Sequence, residues 1–283
     1  MKTITMIALG LISSLQLGRA GDPPTPPPPA PQPASHGTPA TPPSDPAKFQ
    51  IFLLVGQSNM AGRGPVTAAD KVADPNVLVL DAQDQWVTEG EPIHYDKPGM
   101  TGVGPGYTFG KLLAAREPGV TIGLIPCAFG GTSLAQWDPK TGDKKLYKPY
   151  SLYENAIRRA QIAMKSGTLK GILWHQGEGD AKTSPETYAA RLAPLVASFR
   201  ADLKAPNVPF IAGEIGHFTY AGHPGASTIN EQIALIPGVV PNSAFVSSEG
   251  LTDKGDHLHF STQAQKEFAQ RYLDAYLKLT AVK

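Results

Sequence analysis

From Lys48 onward the chain alternates between two rhythms. Short continuous apolar runs end at glycine or polar turns, and longer stretches repeat their apolar positions at helical spacing. The apolar runs place strands at residues 49–55, 77–80, 120–126, 171–175, 208–215 and 244–247. The amphipathic stretches place helices at residues 107–116, 153–165, 185–203 and 229–236, and from Ser261 to about Leu279. Pro185 suits a first helical turn, Gly167 a helix end, and Ser261 the cap of the last helix. Uninterrupted apolar strands alternating with helices imply a parallel sheet covered on both faces. The expected fold is therefore one three-layer α/β/α domain with a sheet of about five strands, which takes its ligands at the carboxyl ends of the strands.

The segment ahead of Lys48 has a different character. Residues 1–20 combine Lys2, an apolar run from Met6 to Leu17 and a small residue at Ala20, which is the pattern of an export signal. The run is short for a bilayer span, so the expectation is a cleaved signal and a secreted or periplasmic protein with no membrane association afterwards. Twelve of the 28 prolines fall between Pro23 and Pro46, so residues 21–47 read as an extended, disordered linker and residues 48–283 as the folded domain. Lys and Arg total 25 against 24 Asp and Glu, a balance that gives no electrostatic reason to expect a nucleic-acid partner. The single cysteine, Cys127, excludes an intrachain disulfide framework; at the end of an apolar run it reads as an inert buried thiol.

Three of the expected strands are followed by segments with chemical content: Gly56-Gln57-Ser58-Asn59-Met60, then Phe129-Gly130-Gly131-Thr132-Ser133, then His175-Gln176-Gly177-Glu178-Gly179-Asp180. A fourth, Asp256-His257-Leu258-His259-Phe260, precedes the last helix. In a parallel sheet the first three open on one edge, where a nucleophile, a base and oxyanion donors could meet. A serine hydroxyl needs a base beside it, so Ser58 is the candidate nucleophile and His259 its base, with Asp256 holding the imidazole tautomer.

In this order the four segments resemble the SGNH hydrolases, and more narrowly the family 6 carbohydrate esterases and sialate O-acetylesterase-like proteins. The resemblance runs from about Phe52 to the C-terminus. It implies the flavodoxin-like SGNH hydrolase fold and an oxyanion hole made from the Ser58 N–H, the Gly131 N–H with Gly130 as close alternative, and the Gln176 amide. Gln57, Asn59, Gly130, Thr132, Trp137, His175 and Glu178 are candidate supporting or substrate-binding residues. Trp137 is either a platform for a sugar face or packing, His175 either orients Gln176 or is simply buried, and Glu178 with Asp180 reads as loop architecture. Glu214-Ile215-Gly216-His217 is a second acid–histidine pair without a serine motif and reads as pocket wall; Trp174 reads as core.

The implied activity is a serine esterase that removes O-acetyl groups from carbohydrate without metal or organic cofactor. Acetylated xylan or a related polysaccharide is the expected substrate and a sialate O-acetyl group the nearest alternative. The rivals from other classes are a non-catalytic glycan-binding protein on the same scaffold and a metal-dependent phosphatase.

Overall fold

Strand β2 (Phe49–Gly56) organises the architecture because both of its faces are buried. The computed structural model describes residues 37–281. Among these, the other strands are β1 (Thr38–Pro39), β3 (Val77–Leu80), β4 (Trp86–Thr88), β5 (Thr121–Pro126), β6 (Thr168–His175), β7 (Phe210–Gly213) and β8 (Ser243–Val246). The α-helices are α1 (Ser58–Ala61), α2 (Pro105–Arg116), α3 (Leu152–Ala163), α4 (Tyr188–Asp202), α5 (Ala226–Val239) and α6 (Thr262–Ala281). One sheet contains all eight strands in the order β1-β4-β3-β5-β2-β6-β7-β8.

Successive side chains of a strand point to opposite faces. Phe49, Ile51, Leu53 and Val55 enter one core with residues of α3, α4 and α5; Phe52 and Leu54 enter the other with residues of α2 and α6. That division produces the expected three layers and explains why β2 reads as an apolar run interrupted only by the half-buried Gln50 near its start. Strand β2 pairs in parallel with β5 on one side and β6 on the other. The chain therefore leaves the centre in two directions, and a crevice opens at the carboxyl end of β2.

The sheet is larger than the expected five strands and is not wholly parallel. Six strands from β3 to β8 across the centre run parallel, while β4 pairs antiparallel with both β3 and β1. Three residues in β4 and two in β1 are too few to establish a period. Strand β1 also revises the reading of residues 37–47, which are partly tied to the domain: Thr38 and Pro39 pair with Thr88 and Val87, and the Ala40 N–H donates to the Trp86 carbonyl. The expected export signal and the rest of the proline-rich segment, through residue 36, lie outside the described residues.

The helix expected over residues 185–203 is divided. Ser184 adopts a left-handed φ of 51°, Pro185–Thr187 form a 3-10 turn, and α4 follows. Gly167 does not cap α3, which closes at Met164; it turns into β6. Ser261 does cap the last helix, accepting from the Ala264 N–H at 3.1 Å.

Candidate active site

The crevice at the end of β2 is formed by a glycine that no other residue could replace without movement. Gly56 has φ +127°, and a Cβ there would lie 2.0 Å from the His175 carbonyl oxygen, which instead accepts the Gln57 N–H at 2.8 Å. The chain turns sharply and starts α1 at Ser58, whose N–H, at the first helical position, has no hydrogen-bond partner among the described residues.

Ser58 and His259, 201 positions apart, meet there. Ser58 Oγ lies 3.0 Å from His259 Nε2, and His259 Nδ1 lies 2.8 Å from Asp256 Oδ2. Burial alone would raise the Asp256 carboxyl, but hydrogen bonds from the His259 ring and from the His259 and Leu258 N–H groups outweigh it and hold the group well below the usual carboxylate range. An ionised carboxylate only accepts, so His259 carries its proton on Nδ1 and presents the Nε2 lone pair to the serine hydroxyl. The three expected residues thus form one continuous relay.

Beside Ser58 lies a cavity of about 300 Å³, lined among others by Gln57, Arg63, Lys97, Gly130, Gly131 and His223. Its floor is fixed by a buried ion pair that motif reading missed: Arg63 Nη2 and Asp96 Oδ2 are 2.6 Å apart, and the same Asp96 oxygen accepts the Gly130 N–H at 2.8 Å. Gly130 is therefore occupied as a donor. Gly131, at φ +76°, keeps its N–H without a partner among the described residues and is the glycine left to face an oxyanion.

The third expected donor requires correction. Gln176 is fully buried and does not line the cavity. Its Nε2 donates to Asp180 Oδ2 at 2.7 Å and to the Thr132 carbonyl at 3.0 Å, while the Tyr188 hydroxyl lies 2.8 Å from its Oε1. Gln57, unlike Gln176, lines the cavity together with Ser58. Gln176 Nε2 also approaches Gln57 Oε1 at 3.4 Å, and the opposite end of the Gln57 amide, Nε2, has no partner among the described residues. Gln176 thus orients Gln57 and is not itself placed at the oxyanion. The available sequence signal was the position of Gln57, immediately before the nucleophile.

The remaining candidates support the loops. Trp137 is fully buried, with Nε1 3.3 Å from Thr132 Oγ1 and its ring edge-on to Trp174 at 5.5 Å, so it is not a sugar platform. Thr132 is buried and donates to the Phe129 carbonyl at 2.8 Å. His175 is sealed between Phe260 and Phe268, away from the cavity. Asp180 accepts the Leu134 N–H at 2.7 Å and pairs with Arg191 at 3.0 Å, which ties the second and third motifs together. Trp174 and Cys127 are in the core, and burial pushes the Cys127 thiol up. Glu214 and His217, expected as pocket wall, do not line the cavity.

Glu178 and Asn59 are buried next to Ser58, joined at 2.6 Å from Asn59 Nδ2 to Glu178 Oε1. Burial would raise the Glu178 carboxyl, yet His175 and the Asn59 amide hold it below its ordinary value. Arg63, Asp96, Lys97 and His223 stand on loops without periodicity and were not legible as site residues.

Known proteins resemble the whole domain that carries this site. The sequence model of the family described as "Carbohydrate esterase, sialic acid-specific acetylesterase" matches residues 48–278. The probable carbohydrate esterase At4g34215 of Arabidopsis thaliana is 33% identical over 250 residues, covering 81% of this chain and 90% of that protein. Its crystal structure superimposes with a TM-score of 0.72 at 31% identity, covering 81% of this chain and 98% of the other. Two more distant structures share the fold. NanS has a TM-score of 0.68 at 18% identity and covers 84% of this chain and 99% of its own. The carbohydrate acetylesterase XAC1771 from Xanthomonas citri has a TM-score of 0.64 at 20% identity, covering 82% and 57%.

Proposed function

This chain belongs to the carbohydrate esterase, sialic acid-specific acetylesterase family, and from that premise we propose that it is a secreted serine esterase that releases acetate from O-acetylated carbohydrate. The observation that carries the proposal is the unbroken path from Asp256 through His259 to Ser58, at 2.8 and 3.0 Å, opening on a cavity beside unpartnered donors.

In this mechanism Ser58 Oγ attacks the acetyl carbonyl while His259 Nε2 takes its proton. Asp256 stabilises the imidazolium that forms. The oxyanion is met by the Ser58 N–H, the Gly131 N–H and the Gln57 amide, donors already in place before charge develops. His259 returns the proton to the departing sugar oxygen. Water then adds to acetyl-Ser58 with the same histidine as base, releasing acetate and free serine. Acetylated xylan or a related polysaccharide is the proposed substrate, and sialate O-acetyl groups are the alternative that the family description names.

The test is acetate release from a small aryl acetate by wild type and Ser58→Ala, with and without chelator. The expected outcome is activity lost in the variant and indifferent to chelator; equal rates in the two proteins would overturn the proposal. A panel of acetylated xylan, acetylated mannan and O-acetyl sialosides then ranks the substrates by kcat/KM, with xylan expected first.

A further inference from the structure

We propose that Asn59 is the positioning residue that holds His259 at its working distance from Ser58, and that Glu178 acts through Asn59 by fixing which way its amide points. The proposal rests on the serine esterase reading above.

His259 lies in the loop before α6, far in sequence from α1, and its backbone needs a direct tie to the helix that carries the nucleophile. Asn59 supplies that tie on both sides of the histidine. Its Oδ1 accepts the Phe260 N–H at 3.1 Å, and its Nδ2 donates to the Leu258 carbonyl at 3.1 Å. The residues immediately before and after His259 are thus bonded to the residue immediately after Ser58. The Asn59 carbonyl is held in turn by Gln265 Nε2 at 3.0 Å, which fastens α1 to α6. Asn59 is 1% exposed, so water has little access to replace these bonds.

The clamp works in only one orientation of the amide. Reversed, it would set an NH2 against the Phe260 N–H and an oxygen against the Leu258 carbonyl. Glu178 Oε1, 2.6 Å from Nδ2, enforces the observed orientation, because a carboxylate accepts hydrogen bonds and offers none. Glu178 has His175 Nε2 as its other neighbour at 3.6 Å, and bonds to neither Ser58 nor His259. Its place in the third motif follows: it directs the amide that directs the base.

The experiment is a double-mutant cycle with Asn59→Ala, Glu178→Gln and the combination, assayed on an aryl acetate and by the rate at which a small organophosphonate modifies Ser58. Misplacing a reacting group by about an ångström costs on the order of 100-fold. Asn59→Ala should therefore lose about 100-fold in kcat, with KM within about twofold, and lose phosphonate reactivity by the same factor. Glu178→Gln, which can present either end of its amide, should lose about tenfold, and the double variant should be no slower than Asn59→Ala alone.

Folded Asn59→Ala with kcat within about threefold of wild type would overturn the proposal, as would losses that multiply in the double variant. Should Asn59→Ala not fold, Glu178→Gln alone decides through the low-field proton resonance of the His259–Asp256 bond. Broadening or a shift supports the clamp, and a resonance identical to wild type overturns it. Wild type inert to both reagents would remove the esterase reading and the proposal with it, whereas active wild type with an indifferent Asn59→Ala removes the proposal alone.

Discussion

Among the described residues, two contacting pairs place an acid three positions ahead of a histidine, Asp256–His259 and Glu214–His217, at 2.8 and 3.2 Å. Spacing and distance barely separate them; what each ring nitrogen faces does. His259 gives Nδ1 to its acid and keeps Nε2 for Ser58. His217 turns Nε2 toward Glu214, and its ring stacks on Tyr220 at 4.8 Å. A serine is present at the second pair too, but Ser247 Oγ donates to Glu214 Oε2 at 2.9 Å, and that oxygen also accepts the Ser248 N–H at 3.0 Å. A serine hydroxyl bonded to a carboxylate, with no histidine at its oxygen, is a structural hydrogen bond that joins the ends of β7 and β8. A relay needs the order acid, imidazole, hydroxyl, and of these two pairs Asp256–His259 has it.

The two pairs should differ most in kcat. Ser58→Ala and His259→Ala should each lose about 10⁴-fold or more, and Asp256→Asn about 10³- to 10⁴-fold. Glu214→Gln and His217→Ala should stay within about threefold of wild type in the same aryl acetate assay. A loss at His217 as large as that at His259 would show that the second pair belongs to the chemistry.

The next contrast lies between two glutamines 119 positions apart in one hydrogen-bonded chain. Gln57→Ala removes a donor aimed at the oxyanion and should lower kcat about 10²- to 10³-fold with the fold intact. Gln176→Ala leaves Asp180 Oδ2 and the Thr132 carbonyl without their shared donor, so a lowered thermal midpoint is its signature. If Gln176→Ala alone lost kcat while remaining as stable as wild type, the assignment of the two amides would be reversed.

Smallest and slowest to appear is a contrast in pH dependence. The Asp256 carboxyl is held below its ordinary value, so its contribution is present above about 4 and is lost as the pH falls. Glu91 behaves oppositely. Burial, only partly offset by the Gly104 and Ile93 N–H groups, pushes its carboxyl up to about 8. Its stabilisation is complete below 4.5, the ordinary value, and is lost as the pH rises toward about 8. Glu91→Gln should therefore gain about 2–4 °C in thermal midpoint at pH near 8 relative to its effect at pH near 5. Equal shifts at both pH values would contradict a buried neutral Glu91.

These contrasts also mark what was legible in the sequence. The β2 run and the three-layer fold were readable because burial on both faces leaves a continuous apolar signature from Ile51 to Val55. Ser58, Asp256 and His259 were readable because their motifs follow strand ends or precede a helix, and topology brings those ends to one edge. Strands β1 and β4 are too short to repeat. The exchange of roles between Gln57 and Gln176 depends on which amide Asp180 and Thr132 occupy, and the burial of Trp137 depends on its contact with Trp174. Both are side-chain arrangements between distant segments, and residue order along the chain carries no record of them. The Arg63–Asp96 pair under Gly130 is of the same kind.

In the proposed mechanism Ser58 carries the acetyl group between substrate and water. Acid quenching during turnover of an aryl acetate, followed by mass mapping of the digested protein, tests it directly. Acetyl is expected on the peptide containing Ser58, with no acetylated peptide from Ser58→Ala. Turnover by wild type with the acetyl group on another side chain, or undiminished in Ser58→Ala, would contradict it.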